Sequence, residues 1–302
     1  MNYQYLLKHP DLFQYTIGIS RQQFELLLPR FVTTLRQAEY VKAWNKDRDR
    51  APGGGRKSSL ATDRQKLFFV LFYYKVYPTF RFAQTVFCFD KRNIQLWTRF
   101  LEGVLFGALG YQLHLPQVRI RHLNHWLTIC PALKEFLVDA TERPVQRPKD
   151  NQRQERYYSG KKKRHTVKNQ VYVHPRTKRI LAVSDTVEGK RHDKKLLQDD
   201  RRYYQLPPGS TGAGDNAYQG VTAEHPFLKL VVPKKKPPGS ELTEEEKIVN
   251  KTISSIRVRV EHPLAYLKHF NILSHRFRNR LNRAHQPFET LACLYNFSRT
   301  HR

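Results

Sequence analysis

Three acidic side chains in the second half of the chain stand where a site is easiest to build. Asp139 closes the apolar run LKEFLVDAT, Asp215 sits among small residues in STGAGDNAYQG, and Glu261 lies inside the long pattern RVRVEHPLAYLKHF. A carboxylate packed among glycine and alanine is costly unless something compensates its charge. Acids at strand ends can converge on one edge of a mixed sheet, where side chains enter a crevice while the backbone stays paired. Three carboxylates brought together repel unless cations join them, and Mg²⁺, held by a few carboxylates plus waters and substrate phosphates, suits such a set. Each acid also has a plainer reading: Asp139 as a strand-terminating turn former, Asp215 as part of a sharp glycine turn. Glu142, three residues beyond Asp139, is a competing ligand. In GKRHDKK, Asp193 reads as the N-cap of a following helix and His192 as lining for a DNA path.

The charge balance names a class of substrate. Lysine and arginine number 54 against 26 acidic residues, for a net charge of +28. That excess favours a polyanionic partner, and nucleic acid is the first choice. A membrane partner would require an apolar span of about 20 residues or a basic amphipathic helix. The longest strongly apolar run, LFFVLFYY at 67–74, is far too short, so no membrane association is expected. The first residues lack a basic-then-apolar leader. Cys88, Cys130 and Cys293 are odd in number and scattered, which points to a reducing, cytoplasmic compartment and no structural zinc.

The elements that must position these acids follow from periodicity. Residues 20–41 show Phe24, Leu27, Leu28, Phe31 and Leu35 at helical spacing behind Ser20 as N-cap, with Pro29 arguing against an unbroken helix. WNKDRDRAPGGGRKSSL reads as a flexible connection. Residues 62–109 give three helical segments capped by Thr62, Thr79 and Asp90. The short gap between the second and third fits a helix-turn-helix, with Lys91, Arg92, Asn93, Gln95 and Arg99 exposed for DNA; a helical bundle with a solvated face fits the same pattern. Beyond residue 116 the pattern becomes mixed: three strands, a helix, two more strands, and a long helix opened by Thr243 and Glu246 as a capping box. The 13 basic residues from Arg143 to Arg179, among them Lys161, Lys162, Lys163 and Arg164, face only Asp150 and Glu155 and favour contact with a phosphate backbone. Tyr157, Tyr158, Tyr203 and Tyr204 fit a core or base stacking equally well.

Four blocks in order, VDATERPVQRP, YYSGKKKRHTVKNQV, GDNAYQG and RVRVEHPLAYLKHFNILSHRFRN, resemble DDE transposases of bacterial insertion sequences, superfamily five, related to eukaryotic Harbinger elements. The resemblance covers roughly residues 55–290. It implies an RNase H-like α/β catalytic domain at 116–290 with the triad Asp139, Asp215 and Glu261. An N-terminal helical region at 1–50, a helix-turn-helix domain at 51–115 and a tail at 291–302 complete the expected organisation. Relatives carry tyrosine, arginine, glutamate and lysine at fixed spacing in the last block. Here Arg257, Glu261 and Lys268 fit, while Ser254 replaces the tyrosine. Their separations put all four on one helical face, so Arg257 can orient Glu261 and contact phosphate, and Lys268 can hold the DNA backbone. Val249, Ile253, Ile256, Val260, Leu264 and Leu267 form the adjacent buried stripe, and Pro263 should kink or strain the helix. The 46 positions from Asp215 to Glu261 leave no room for a large inserted domain.

The expected activity is binding of double-stranded DNA at the element's terminal inverted repeats, then Mg²⁺-dependent cleavage and transfer into target DNA by two ions per site, with Mn²⁺ as a substitute. Holding two ends calls for a homodimer or larger assembly. Two other readings are a DNA-binding regulator of transposase descent that no longer cuts, and a structure-specific nuclease on the same fold.

Overall fold

The computed structural model describes residues 3–44, 60–110, 135–200, 203, 206, 209–224 and 229–301. The flexible connection expected near residues 44–60, Cys130 and Tyr204 lie wholly or mostly outside that set. Two compact units emerge, one holding the first six helices together with His269–His275 and Phe297–Arg302, the other holding the sheet, its helices to Lys268, and Arg276–Asn296.

Local capping sets the helix starts in the first unit. After α1 (Tyr3–Leu7) and α2 (Pro10–Ile17), the latter closed by Gly18 in the left-handed region at φ 85°, the chain enters α3 (Arg21–Trp44). Ser20 and Gln23 form a reciprocal cap there, with the Gln23 N–H donating to Ser20 Oγ at 3.2 Å and the Ser20 N–H donating to Gln23 Oε1 at 3.0 Å. α3 runs through Pro29 without interruption. Phe24, Leu27, Phe31 and Leu35 on its inner face are wholly buried, and that burial outweighs the one hydrogen bond proline removes. α4 (Asp63–Val76), α5 (Phe80–Phe87) and α6 (Lys91–Leu109) begin at Thr62, Thr79 and Asp90, each accepting a backbone N–H through its side chain, as read from the sequence. α4 is buried on every face from Lys66 to Lys75, so it is the central helix of this unit. Its two lysines are satisfied locally: Lys66 pairs with Asp63 at 3.1 Å, and Lys75 Nζ donates to the His269 carbonyl at 3.1 Å. The regions expected as separate at 1–50 and 51–115 thus contribute to one helical unit.

The second unit is built on a mixed sheet. Its strands are β1 (Glu135–Pro144), β2 (Tyr158–Ser159), β3 (Arg164–Val173), β4 (Ile180–Val183), β5 (Val187–Glu188), β6 (Thr211–Ala213) and β7 (Lys229–Val231). The order is β2-β3-β1-β6-β7, with β4 and β5 also pairing to β3. β1 is antiparallel to β3 and parallel to β6, and β7 continues the parallel side. Helices flank this sheet: α7 (Asn151–Tyr157), α8 (Asp193–Asp199), α9 (Val221–Glu224) and α10 (Glu244–Lys268). It is the mixed α/β arrangement of the expected RNase H-like class, preceded by an all-helical region. Phe136, Val138, Tyr172, Leu197, Tyr218 and Leu230 pack into one core. α10 opens with the expected capping box, the Glu246 N–H donating to Thr243 Oγ1 at 3.2 Å and the Thr243 N–H to Glu246 Oε2 at 3.0 Å.

Two expectations need correction. Residues 291–302, read as a tail, belong mostly to α12 (His285–Thr300), whose Leu291, Ala292, Leu294 and Phe297 are fully buried. The short α11 (Asn271–Ser274) precedes it. Within α10, Ile253, Val260, Leu264 and Leu267 are buried, but Val249 is 55% exposed because the first turns of the helix extend past the core. α10 continues through Pro263 to Lys268, with Pro263 itself buried.

Candidate active site

The meeting of Asp139 and Asp215 follows from strand register. β1 and β6 pair in parallel only over Glu135–Leu137 and Thr211–Ala213, the last pair being Leu137 with Ala213. Each aspartate stands two residues beyond that last pair, so the two project from equivalent places on neighbouring strands, which lie about 4.8 Å apart while paired. β1 does not end at Asp139 as the sequence suggested. It continues to Pro144, held on its other side by β3, where Asp139 faces Val171. β6 does end, and the chain turns into a 3-10 turn at Asn216–Tyr218, with Asp215 as N-cap accepting the Ala217 N–H at 3.0 Å. The parting of the two strands is the crevice in which α/β sheets place ligands.

The small residues around Asp215 are required by packing. A Cβ on Gly212 would collide with the Phe136 ring, and one on Gly214 would lie 2.8 Å from the Tyr218 ring. These glycines let two aromatic rings close under the carboxylates. Tyr218 is buried and donates its hydroxyl to Gln170 Oε1 at 3.1 Å. Gln170 then donates to the Tyr172 oxygen at 2.9 Å, and Tyr172 to Asp200 at 3.0 Å. Burial, then the charges of Asp193, Asp139 and Asp215, push the Tyr218 phenol well above its ordinary range, so it stays a neutral donor.

Burial also raises the Asp139 carboxyl from its ordinary 3.8 to about 6, with the Asp215 and Asp193 charges adding to the rise. The Ala140 N–H, which donates to Asp139 Oδ1 at 2.8 Å, and the Arg257 charge both oppose it. The charge of Arg257, partly buried on α10, thus acts on Asp139, and its Nε is buried without a hydrogen bond among the described residues. Glu261 stands one turn further along α10 and is exposed, as are Ser254 and Lys268. The fold thus brings together Asp139, Asp215 and Arg257. Among the described residues, no three His, Cys, Asp or Glu side chains gather into a group able to hold a metal ion, so Glu261 is on the expected helix but apart from the pair.

Sequence reading missed a charged cluster beside this site. Lys168, buried on β3, contacts Asp193 Oδ1 and the Arg191 carbonyl, each at 2.7 Å, and lies 3.7 Å from Glu142. Thr166 Oγ1 donates to Glu142 at 2.8 Å, so Glu142 is engaged away from the aspartate pair. Asp193 is the first residue of α8, not its cap; His192 is the cap, through Nδ1. The only sequence hint was a lysine inside the otherwise buried strand HTVKNQV.

The expected DNA-contacting residues fall on two surfaces. Lys161, Lys162, Lys163 and Arg164 are exposed on the turn joining β2 and β3. Two members of the larger basic run are not surface groups: Lys168 is buried as above, and Arg143 is buried, donating to the Ala284 carbonyl at 2.6 Å and lying 4.3 Å from the Phe277 ring. In the first unit Lys91, Arg92, Asn93 and Arg99 are exposed on the first half of α6, with Gln95 partly so. Tyr203 is core, whereas Tyr158 is 44% exposed.

A carboxylate pair in a sheet crevice, flanked by basic surface, is the arrangement of a phosphodiester-cutting enzyme. The chain belongs to the DDE superfamily endonuclease family, whose pattern matches residues 138–296, more than half of its length. It is also similar to the "Probable transposase for insertion sequence element IS702" of Microchaete diplosiphon, 28% identical over 282 residues that span 93% of this chain and 91% of the relative. The resemblance to DDE transposases drawn from the four sequence blocks is borne out by these matches. No solved structure matches the chain. None of the helices in the described residues is long and apolar enough to cross a membrane.

The residues present suit the divalent metal that the family implies. Asp139 and Asp215 offer only hard oxygen donors, and the burial that raises the Asp139 carboxyl, with the Asp215 charge adding to it, leaves an uncompensated negative charge that a bound cation relieves.

Proposed function

We propose that this protein is a transposase that binds the terminal inverted repeats of its own element, cuts DNA there and joins the freed end to target DNA. The observation that carries the reading is the Asp139–Asp215 pair, set side by side where β1 and β6 part, in a chain of the DDE endonuclease family. Asp139 and Asp215 would hold Mg²⁺, with Mn²⁺ as a substitute and two ions as the full complement; Glu261, exposed on α10 apart from the pair, would supply the third carboxylate only once turned toward them. When bound, the metal supplies charge neutralisation at the attacking and leaving oxygens of the phosphodiester.

The chain's own residues do the rest. Arg257, facing Asp139, balances the charge of the pair and offers a donor to a phosphate oxygen. Lys268 and the Lys161–Arg164 turn grip the backbone of DNA laid across the crevice. Lys91, Arg92, Asn93, Gln95 and Arg99 on α6 reach the groove of the repeat as a recognition helix would, the three-residue connection Cys88–Asp90 after α5 being short enough for a helix-turn-helix. Bringing two ends together calls for self-association of this chain.

The test is cleavage and joining of DNA carrying the element's ends, in Mg²⁺ and in EDTA. Wild-type protein should nick only with metal, and Asp139→Ala and Asp215→Ala should each abolish nicking while leaving DNA binding intact. Undiminished nicking by either variant would sink the site assignment. Salt-sensitive binding without any nicking by wild type would instead favour a regulator that no longer cuts.

A further inference from the structure

Beyond the acid pair, the second unit carries a cavity of about 590 Å³ bounded by Arg147, Gln154, Tyr158, His165 and Lys190. Its volume falls within the range of small-ligand sites, roughly 300–1,000 Å³. Its construction is specific. Tyr158 and His165 are opposed across the β2–β3 ladder, their rings 5.7 Å apart and nearly perpendicular at 72°. Gln154 and Glu155 come from α7 immediately before Tyr158, and Arg147 Nε donates to Gln154 Oε1 at 2.8 Å. Lys190 closes the opposite side, its Nζ 2.6 Å from Glu155 and its N–H donating to the Arg156 carbonyl at 3.1 Å. Gly189 makes this closure possible, since a Cβ there would collide with Thr166 Oγ1.

A surface that only held phosphates would need cations alone. Here an aromatic ring, 44% exposed, is set among cationic and amide groups, and the Lys161–Arg164 turn leads from β2 into β3 beside it. A flat π-face with donors and acceptors around it and cations beside it matches an unstacked nucleobase on a strand whose backbone the cations track. The cavity also lies at a defined place. His165 pairs through its carbonyl with the N–H of Val145, six residues on from Asp139, which is about 20 Å of extended chain.

We propose that this cavity receives a nucleobase displaced from the DNA stack, with Tyr158 as its stacking platform. The proposal rests on the DNA-cutting reading above. It adds a contact that holds distorted or unpaired DNA and that the acid pair does not need.

The full-length protein is titrated with two short duplexes of one sequence, one fully paired and one carrying a single bulged 2-aminopurine, at low salt with EDTA present. Wild type should bind the bulged duplex about tenfold more tightly than the paired one, within the range that stacking on one aromatic provides, and its binding should change 2-aminopurine fluorescence. Tyr158→Ala should lose that preference to within about twofold while binding the paired duplex as wild type does; Tyr158→Phe should keep it. Wild type binding both duplexes equally, or Tyr158→Ala retaining the preference, would overturn the pocket and leave the transposase reading standing. Failure of wild type to bind either duplex would overturn both.

Discussion

Replacing Asp139 by asparagine should abolish cleavage and make the metal-free protein more stable. The carboxyl is raised from 3.8 to about 6, and at about 1.36 kcal/mol per pH unit that rise amounts to about 3 kcal/mol of unfavourable charge burial. Asparagine has the shape of the protonated acid and keeps an acceptor for the Ala140 N–H. Below about pH 3.8 the wild-type carboxyl is neutral in both the folded and unfolded chain, so the two proteins should be equally stable. Between about 3.8 and 6 the folded chain holds a proton that the unfolded chain has released, and wild-type stability falls as pH rises. Above about pH 6 the full penalty is present, and the advantage of Asp139→Asn reaches its plateau of about 3 kcal/mol. For a unit of this size that corresponds to a rise of roughly 6–12 °C in melting temperature. Thermal melts in EDTA between about pH 4 and pH 8 test the curve, and added Mg²⁺ should raise the wild-type midpoint more than that of the variant. An advantage that is absent at pH 8, or that grows toward low pH, would refute the assignment of a strained carboxylate pair.

Other perturbations probe the surrounding parts. Gly212→Ala should cost about 1–3 kcal/mol in urea unfolding by driving a methyl into the Phe136 ring, whereas Gly160→Ala, with open space around its Cβ, should cost far less. Lys168→Met strands Asp193 and Glu142 in a largely buried setting and should destabilise the second unit by about 3–5 kcal/mol. Lys91→Ala with Arg92→Ala, both at exposed positions, should leave the melting temperature nearly unchanged. The log–log salt slope of DNA binding should become shallower by about 0.9 for each phosphate that these side chains neutralise in the wild type.

Much of this molecule is written in short-range signals. Caps at Ser20, Thr62, Thr79, Asp90 and Thr243 lie within three residues of the N–H groups they satisfy, so the sequence alone places those helix starts. Alternation placed the antiparallel strands, and the four ordered blocks identified the family. The end of the chain was less legible because α12 is apolar enough to be a helix but takes its place only through bonds with distant residues, such as Asn296 with both the N–H and the carbonyl of Ile180.

What only the tertiary structure decided is which groups share a neighbourhood. That Asp139 lies beside Asp215 depends on the register of Leu137 against Ala213, a pairing between strands more than 70 residues apart that no local pattern encodes. Lys168 and Arg143 read as members of a basic surface and are buried partners instead, because the pleat turned them inward. The helical spacing of Arg257 and Glu261 was sound, yet in the fold Arg257 is partly buried and its charge acts on Asp139, while Glu261, one turn further along the same face, stays in solvent. Charge type and local propensity are properties of residues in sequence; repulsion, burial and the raised Asp139 carboxyl arise only from distances that the folded sheet creates.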